Sequence, residues 1–274
     1  MQTFVAAAVQ MKSVSDKATN LAEASARIEE AAGAGAQLVA LPEVFAWRGP
    51  HDRERLEAET IPGPTTDAMA ALARRLAIHL VAGSILEKRP GGPDADGLPF
   101  NTTTLFGPDG SLLGLYRKIH LFDVDLPGRV TIRESALRAP GSEVVSVATA
   151  LGRIGPAVCY DLRFPELFRR LAEAGSEIVV MPSAFTRPTG QAHWEPLLRA
   201  RAIENQCFVV APNQYGAGSQ GFHDYGNSLV VDPWGVVLAR GADDDSGIVA
   251  ATLEAGVLER VRRELPSLEH RRLG

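Results

Sequence analysis

Near the start of the chain a twelve-residue segment has a counterpart 140 residues later. Ala34-Gly35-Ala36-Gln37-Leu38-Val39-Ala40-Leu41-Pro42-Glu43-Val44-Phe45 aligns with Ala174-Gly175-Ser176-Glu177-Ile178-Val179-Val180-Met181-Pro182-Ser183-Ala184-Phe185. Each copy reads as a helix end, a glycine stop, a buried strand and a proline. Further on, Gly107-Pro108-Asp109-Gly110 is echoed by Asp232-Pro233-Trp234-Gly235 at an offset of 125, each placing turn chemistry between two β-rich runs. A chain built this way is constrained to two similar halves, about 1–145 and 146–255.

Short apolar runs at 3–11, 38–41, 79–84, 154–159, 178–181 and 208–212 have the character of strands buried on both faces. Between them, 16–34, 65–77, 165–174 and 195–205 carry apolar residues at helical spacing. Such alternation defines an α/β protein. Neither strand set can bury both faces alone, so the expected architecture is a four-layer α-β-β-α sandwich with two pseudo-symmetric halves. The domain expected is a single one over 1–253. A charged tail, 254–274, with a short helix at 258–264 ended by Pro266, is expected to pack on a partner subunit. Segments 89–99, 123–140 and 213–225 are long for connections and read as loops, a common place for function.

The 274 residues carry 28 cations against 33 acids, a formal net charge of −5. That balance excludes nucleic acid and an anionic membrane surface as partners, since both require a positive field. No apolar run reaches the roughly 18–20 residues of a membrane span, and the stretch 1–11 lacks a basic secretory start. Two cysteines, Cys159 and Cys207, cannot build a disulfide framework. A cytoplasmic setting is therefore expected.

Candidate chemistry sits at strand ends. Cys159 closes the run 154–158, and Pro165 can open a helix soon after, a placement that favours thiolate. The alternative, a small buried hydrophobe, fits Cys207 better, because polar Asp161 and Arg163 follow Cys159 at once. Glu43 ends the strand 38–41; burial there would fit it for base duty, and a loop salt bridge is the other reading. Lys118 is one of only four lysines against 24 arginines. A compact ammonium at that position suits a developing oxyanion. No histidine pair has zinc spacing, although His120 or His193 could partner a thiol. Phosphate-cradling glycine motifs and a G-x-S-x-G elbow are absent from the sequence.

Leu41-Pro42-Glu43, Tyr116-Arg117-Lys118-Ile119-His120 and Val158-Cys159-Tyr160-Asp161-Leu162-Arg163-Phe164-Pro165-Glu166 resemble the three signature segments of the nitrilase, or carbon–nitrogen hydrolase, superfamily, in the right order. The resemblance runs from about Thr3 to Arg272. Segments 120–125, 182–185, 189–195 and 231–235 look like the branch that holds deaminated glutathione amidase and ω-amidase. The resemblance implies an α-β-β-α fold that dimerises or forms a larger homo-oligomer, and a Cys-Glu-Lys mechanism without metal or other cofactor. Cys159 would be the nucleophile, Glu43 the general base, and Lys118 with the Tyr160 N–H the oxyanion donors. Glu134 would hold the lysine and substrate in position. Arg163 would grip a substrate carboxylate, unless it is tied up in an ion pair with Glu166.

The expected partners are thus a small-molecule amide bearing a carboxylate, such as deaminated glutathione or α-ketoglutaramate, and water. Nitrile or N-carbamoyl amino acid hydrolysis are the alternatives within the superfamily. A metal-dependent phosphoesterase using Glu43, Asp161, His223 and Asp224 is the distant one.

Overall fold

The computed structural model describes residues 1–89, 97–128, 130–218 and 221–273, so residues 90–96 of the expected 89–99 loop lie outside the described residues. The strands are β1 (Phe4–Gln10), β2 (Ala36–Ala40), β3 (His79–Val81), β4 (Ile85–Glu87), β5 (Phe100–Phe106), β6 (Leu112–Arg117), β7 (Asp123–Leu126), β8 (Val130–Arg133) and β9 (Val147–Thr149). They continue with β10 (Gly152–Pro156), β11 (Ile178–Val180), β12 (Phe208–Ala211), β13 (Tyr215–Ala217), β14 (His223–Tyr225), β15 (Leu229–Val231), β16 (Val237–Arg240) and β17 (Gly247–Leu253). The helices are α1 (Lys17–Gly33), α2 (Glu54–Glu57), α3 (Pro64–Leu76), α4 (Pro165–Glu173), α5 (Arg187–Asn205) and α6 (Ala255–Glu264).

Two large sheets carry the halves. One has the order β17-β1-β2-β3-β5-β4, with β6 on β5; the other has β16-β15-β12-β11-β10-β9. The parallel trio β1-β2-β3 matches the parallel trio β10-β11-β12. Hairpins β5–β6 and β15–β16 hold the two turns that echo one another in sequence. The outer strands refine the expected division at 145/146. β17, the last strand of the second half, pairs antiparallel with β1, while β9, just past the end of the first half, pairs antiparallel with β10. The halves are therefore joined through β17, which leaves its own half to edge the first sheet, while β9 edges the sheet of its own half.

Side-chain alternation makes four layers from these sheets. In β2, Leu38 and Ala40 face inward and meet Ile178, Val180, Phe208 and Val210 of the second sheet. Their neighbours Val39 and Leu41 face outward, against Ala24, Ile28 and Ala31 of α1 and Met69 and Ala73 of α3. The second sheet repeats the arrangement: Val179 and Met181 pack on Phe168 and Leu171 of α4 and Trp194 and Leu198 of α5. Strands covered on both faces must be apolar throughout, the pattern that the sequence shows. Burying each large aliphatic side chain contributes about 1.5–3 kcal/mol.

Helix starts and stops follow local chemistry. Asp16 caps α1 by accepting from Thr19 N at 2.7 Å, and Gly35 at φ +88° takes the left-handed turn after it. α5 starts at Arg187, well before the expected 195, and carries Pro196 inside it. Its first turns bury Thr189 and Gly190 ahead of Trp194, and a small polar residue and a glycine do not read as an apolar stripe. The long segments 123–140 and 213–225 also carry strands among their described residues. Each contains a hairpin, β7–β8 and β13–β14, whose partly exposed, polar strands lack an apolar run.

The helix of the 254–274 tail is part of the fold. Leu258 and Val261 of α6 are buried on their own chain, and Arg262 donates to Gln206 O and Ser176 O. One face of α6 is thus taken up by its own chain, while Leu265 and Leu273 beyond it are exposed. No helix among the described residues is long and apolar enough to cross a membrane.

Candidate active site

Strand ends of both sheets converge at one rim of the sandwich. After β2 the chain passes Pro42 to Glu43, and after β11 it passes Pro182 to Ser183 and Ala184. These are the two repeat copies, and they meet: Glu43 N donates to Ser183 O at 3.3 Å. The Glu43 side chain accepts from Ala184 N through Oε2 at 3.0 Å. The residue after Glu43, Val44, sits at φ +50°. A β-branched residue in the left-handed region costs about 1–3 kcal/mol, and such strain collects at functional turns.

Cys159 is also in the left-handed region, at φ +47°. It opens a one-turn 3-10 helix, Cys159–Arg163, rather than ending the strand 154–159 as expected, since β10 stops at Pro156. Asp161 fixes the turn. Its carboxylate accepts from Val158 N at 2.8 Å, Tyr116 Oη at 2.7 Å and His120 N at 3.0 Å. Cys159 N donates to Pro182 O at 3.0 Å. Tyr160 N–H, next in the turn, belongs to the set of opening N–H groups that a helical turn leaves without an internal partner.

Lys118 follows β6 and is held by its backbone N–H donating to Asn101 O at 2.8 Å. Its ammonium donates to Glu43 Oε1 at 2.9 Å and Glu134 Oε2 at 2.8 Å, with all three side chains buried. Asn101 Nδ2 donates to the same Glu43 oxygen at 2.8 Å. Glu134, in a 3-10 turn after β8, also accepts from Phe122 N at 2.7 Å and Arg138 Nη1 at 2.9 Å. Glu43, Lys118, Glu134 and Cys159 all line one cavity, with about 560 Å³ of space unfilled by atoms.

Electrostatics follow from this packing. Burial opposes charge on Lys118, but Glu134 and then Glu43 outweigh it and raise its pKa well above the usual value. Burial likewise opposes charge on Glu134, and Lys118 followed by Arg138 hold its carboxyl down at about 2. The Cys159 thiol goes the other way from the sequence expectation. Burial and the negative charge of Glu43 push it well above the ordinary value, and Lys118 offsets this only in part. The free protein thus holds a neutral thiol beside a carboxylate rather than a ready thiolate. Cys207 is buried too and pushed to about 12, in keeping with its core reading.

Other expected residues fall nearby. Tyr160 packs its ring on Phe122 and Phe164. Arg163 lines a smaller recess on another side of Cys159, with Tyr160, Phe185, Thr186 and Thr189. Its guanidinium lies over the Tyr160 and Phe185 rings and meets His193 Nδ1 at 3.2 Å. Among the described residues it makes no ion pair with Glu166. His120 is bound to Asp161 through Nδ1 at 2.7 Å and stacks on Phe164, and among the described residues it makes no hydrogen bond to Cys159.

The set imagined for a metal-dependent phosphoesterase does not assemble. Asp161 is spent on its turn, Asp224 pairs with Arg48, and Glu43 is bonded to Lys118. No group of three or more His, Cys, Asp or Glu among the described residues could hold a metal ion. Sequence reasoning missed Asn101, Glu54, Arg138 and the Arg48–Asp224 pair across the cavity. Only Asn101 left a signal, a polar residue leading a run of threonines in an otherwise buried strand.

The sequence profile of the carbon-nitrogen hydrolase family matches residues 5–263. The chain is 40% identical to the deaminated glutathione amidase of Synechocystis over 274 residues, 99% of both chains. It is 39% identical to omega-amidase NIT2 of Homo sapiens over 274 residues, 99% of this chain and 96% of that one. The crystal structure of Saccharomyces cerevisiae Nit3, a member of branch 10 of the nitrilase superfamily, superposes with a TM-score of 0.88 at 34% identity, covering 99% of this chain and 97% of that one. The chain belongs to the carbon–nitrogen hydrolase family and is a hydrolase of carbon–nitrogen bonds other than peptide bonds, an amidase.

Proposed function

We propose that the protein hydrolyses the side-chain or γ-amide of a small carboxylate-bearing compound, deaminated glutathione or a 2-oxo acid ω-amide such as α-ketoglutaramate. The observation that carries the reading is one cavity lined by Cys159, Glu43, Lys118 and Glu134, with the ammonium bonded to both carboxylates. The names of the relatives supply the substrate class.

In this reading Glu43 takes the proton of the neutral Cys159 thiol as sulfur adds to the amide carbon. The charge lost from Glu43 reappears on the substrate oxygen, where Lys118 and the Tyr160 N–H stabilise it. Glu43 then passes its proton to the leaving nitrogen, and the C–N bond breaks to give a thioester and ammonia from a primary amide, or an amine from a substituted one. Water, deprotonated by Glu43, adds to the thioester; the collapse returns the proton to sulfur and releases the acid. Lys118 stays charged throughout, as its two carboxylate partners require. Glu134 fixes the ammonium. Arg163 takes the substrate carboxylate from the recess beside Cys159.

We also propose a homodimer, following the family resemblance, with the exposed end of the 254–274 tail at the contact and 1–253 as the hydrolase domain. Two free, buried thiols suit a cytoplasmic setting. The test is release of ammonia from α-ketoglutaramate, a nitrile and an N-carbamoyl amino acid, and of the amine fragment from deaminated glutathione, with trapping of acyl-Cys159 by mass spectrometry. Turnover of the two amides with acylation at Cys159 is expected. Turnover of only the nitrile or carbamoyl compound overturns the substrate claim.

A further inference from the structure

Arg138 belongs to none of the signature segments, yet it is buried against the catalytic cluster. It lies four residues beyond Glu134, and its guanidinium joins two carboxylates. Nη1 donates to Glu134 Oε1 at 2.9 Å; Nε and Nη2 donate to Glu54 Oε2 and Oε1, each at 2.9 Å. A fork held bidentately on one side has little freedom left. Glu54, from α2, is itself buried and is met by His51 Nδ1 at 3.1 Å.

The outcome is a buried row of alternating charge: Glu54, Arg138, Glu134, Lys118 and Glu43, ending at the carboxylate beside Cys159. Removing Arg138 would leave Lys118 as the one cation bonded to both Glu43 and Glu134. Its charge would then be fully spent on two carboxylates, with less to offer an oxyanion. Arg138 balances Glu134 from the far side. It also holds Oε1, so that Oε2 stays turned to Lys118 and Phe122 N.

We propose that Arg138, clamped by Glu54, is a positioning residue that acts through Glu134 to keep the charge of Lys118 available for the transition state. The proposal rests on the catalytic reading given above. The charged groups facing this row are Lys118 after β6, Glu43 after β2, His51 and Glu54 at α2, and the Arg48–Asp224 pair from the loop after Glu43 and from β14.

The test compares wild type with Arg138→Met, Arg138→Lys and Glu54→Gln on an amide that the wild type hydrolyses. The measurements are kcat and KM from pH 5 to 9, with the melting temperature of each variant. Arg138→Met is expected to lower kcat by about 10–100-fold, less than deleting an oxyanion donor outright, with KM changed little. Arg138→Lys should recover much of kcat, since one cation still meets Glu134. Glu54→Gln should show a smaller fall of the same kind, and these two milder variants carry the test if Arg138→Met does not fold. Arg138→Met or Glu54→Gln with wild-type kcat, differing only in melting temperature or KM, or an Arg138→Lys no more active than Arg138→Met, would overturn the proposal. A wild type inactive on every amide would instead remove the amidase reading, and the proposal with it.

Discussion

Glu43 Oε2 accepts a 3.0 Å hydrogen bond from the backbone N–H of Ala184, a residue 141 positions away that lies one step past Glu43's own repeat counterpart, Ser183. Internal duplication thus does more than stack two sheets. It delivers two equivalent strand ends to one rim, where one copy supplies a carboxylate and the other a backbone donor that aims it.

Glu43→Gln keeps the size and the acceptor oxygen of this side chain but removes the base proposed for the reaction. Expected is a fall in kcat of about 10²–10⁴-fold, the usual worth of a positioned general base, with KM changed far less. Glu43→Asp should also be poor, because a shorter stem cannot keep Ala184 N, Lys118 and Asn101 together. Steady-state kinetics on the preferred amide decides this. A Glu43→Gln enzyme with kcat near wild type would assign the base elsewhere.

How far the sequence spoke for the fold and site can be judged residue by residue. Leu38 and Ile178 announced themselves, since strands covered on both faces have to be apolar and repeat with their surroundings. Glu43, Lys118 and Cys159 were legible because each sits straight after a strand in a short, recognisable segment. Arg138 and Glu54 were not. Their meaning lies in a bidentate contact across 84 positions, which no local pattern encodes. The hairpin β7–β8 was hidden for a similar reason: its exposed polar strands are held by register with each other rather than by burial. The thiol's acidity was misjudged because a helix start was visible in the sequence and burial beside Glu43 was not.

That correction has a kinetic signature. A thiol pushed up by burial and by Glu43 reacts with iodoacetamide slowly at neutral pH, and its rate keeps rising through pH 9. Mass spectrometry should find the adduct on Cys159 alone, because Cys207 is buried and pushed to about 12. A rate that levels off below pH 7 would mean a stabilised thiolate and contradict the general-base role of Glu43.

Acid should weaken the fold through the same buried charges. Glu54 and Glu134 are each held at about 2, below the ordinary 4.5, despite burial, by Arg138 and by Lys118 with Arg138 respectively. A carboxyl depressed on folding stabilises the folded state above its unfolded pKa, and that stabilisation is lost as pH falls through the folded value. Each contributes on the order of 3 kcal/mol at neutral pH. Urea unfolding should therefore show stability falling from about pH 5 toward pH 2. Glu54→Gln should be less stable than wild type at pH 7, with the gap narrowing as pH drops. A gap that stays constant down to pH 2 would remove the Glu54–Arg138 pair from this account.

Arg163 offers the sharpest test of substrate class. It lines the recess beside Cys159, its guanidinium lying over Tyr160 and Phe185 and meeting His193, so its head is already positioned for a planar anion. A hydrogen bond to a charged group is worth about 1.5–3 kcal/mol, or about a 10–150-fold change in binding. Arg163→Ala should raise KM by that order for a carboxylate-bearing amide and leave a neutral amide of the same length almost unchanged. Arg163→Lys should recover only part, since a point charge cannot bind the carboxylate bidentately. Equal losses on both amides would show that Arg163 supports the turn holding Cys159 and Tyr160, and that the substrate carboxylate is read by another residue.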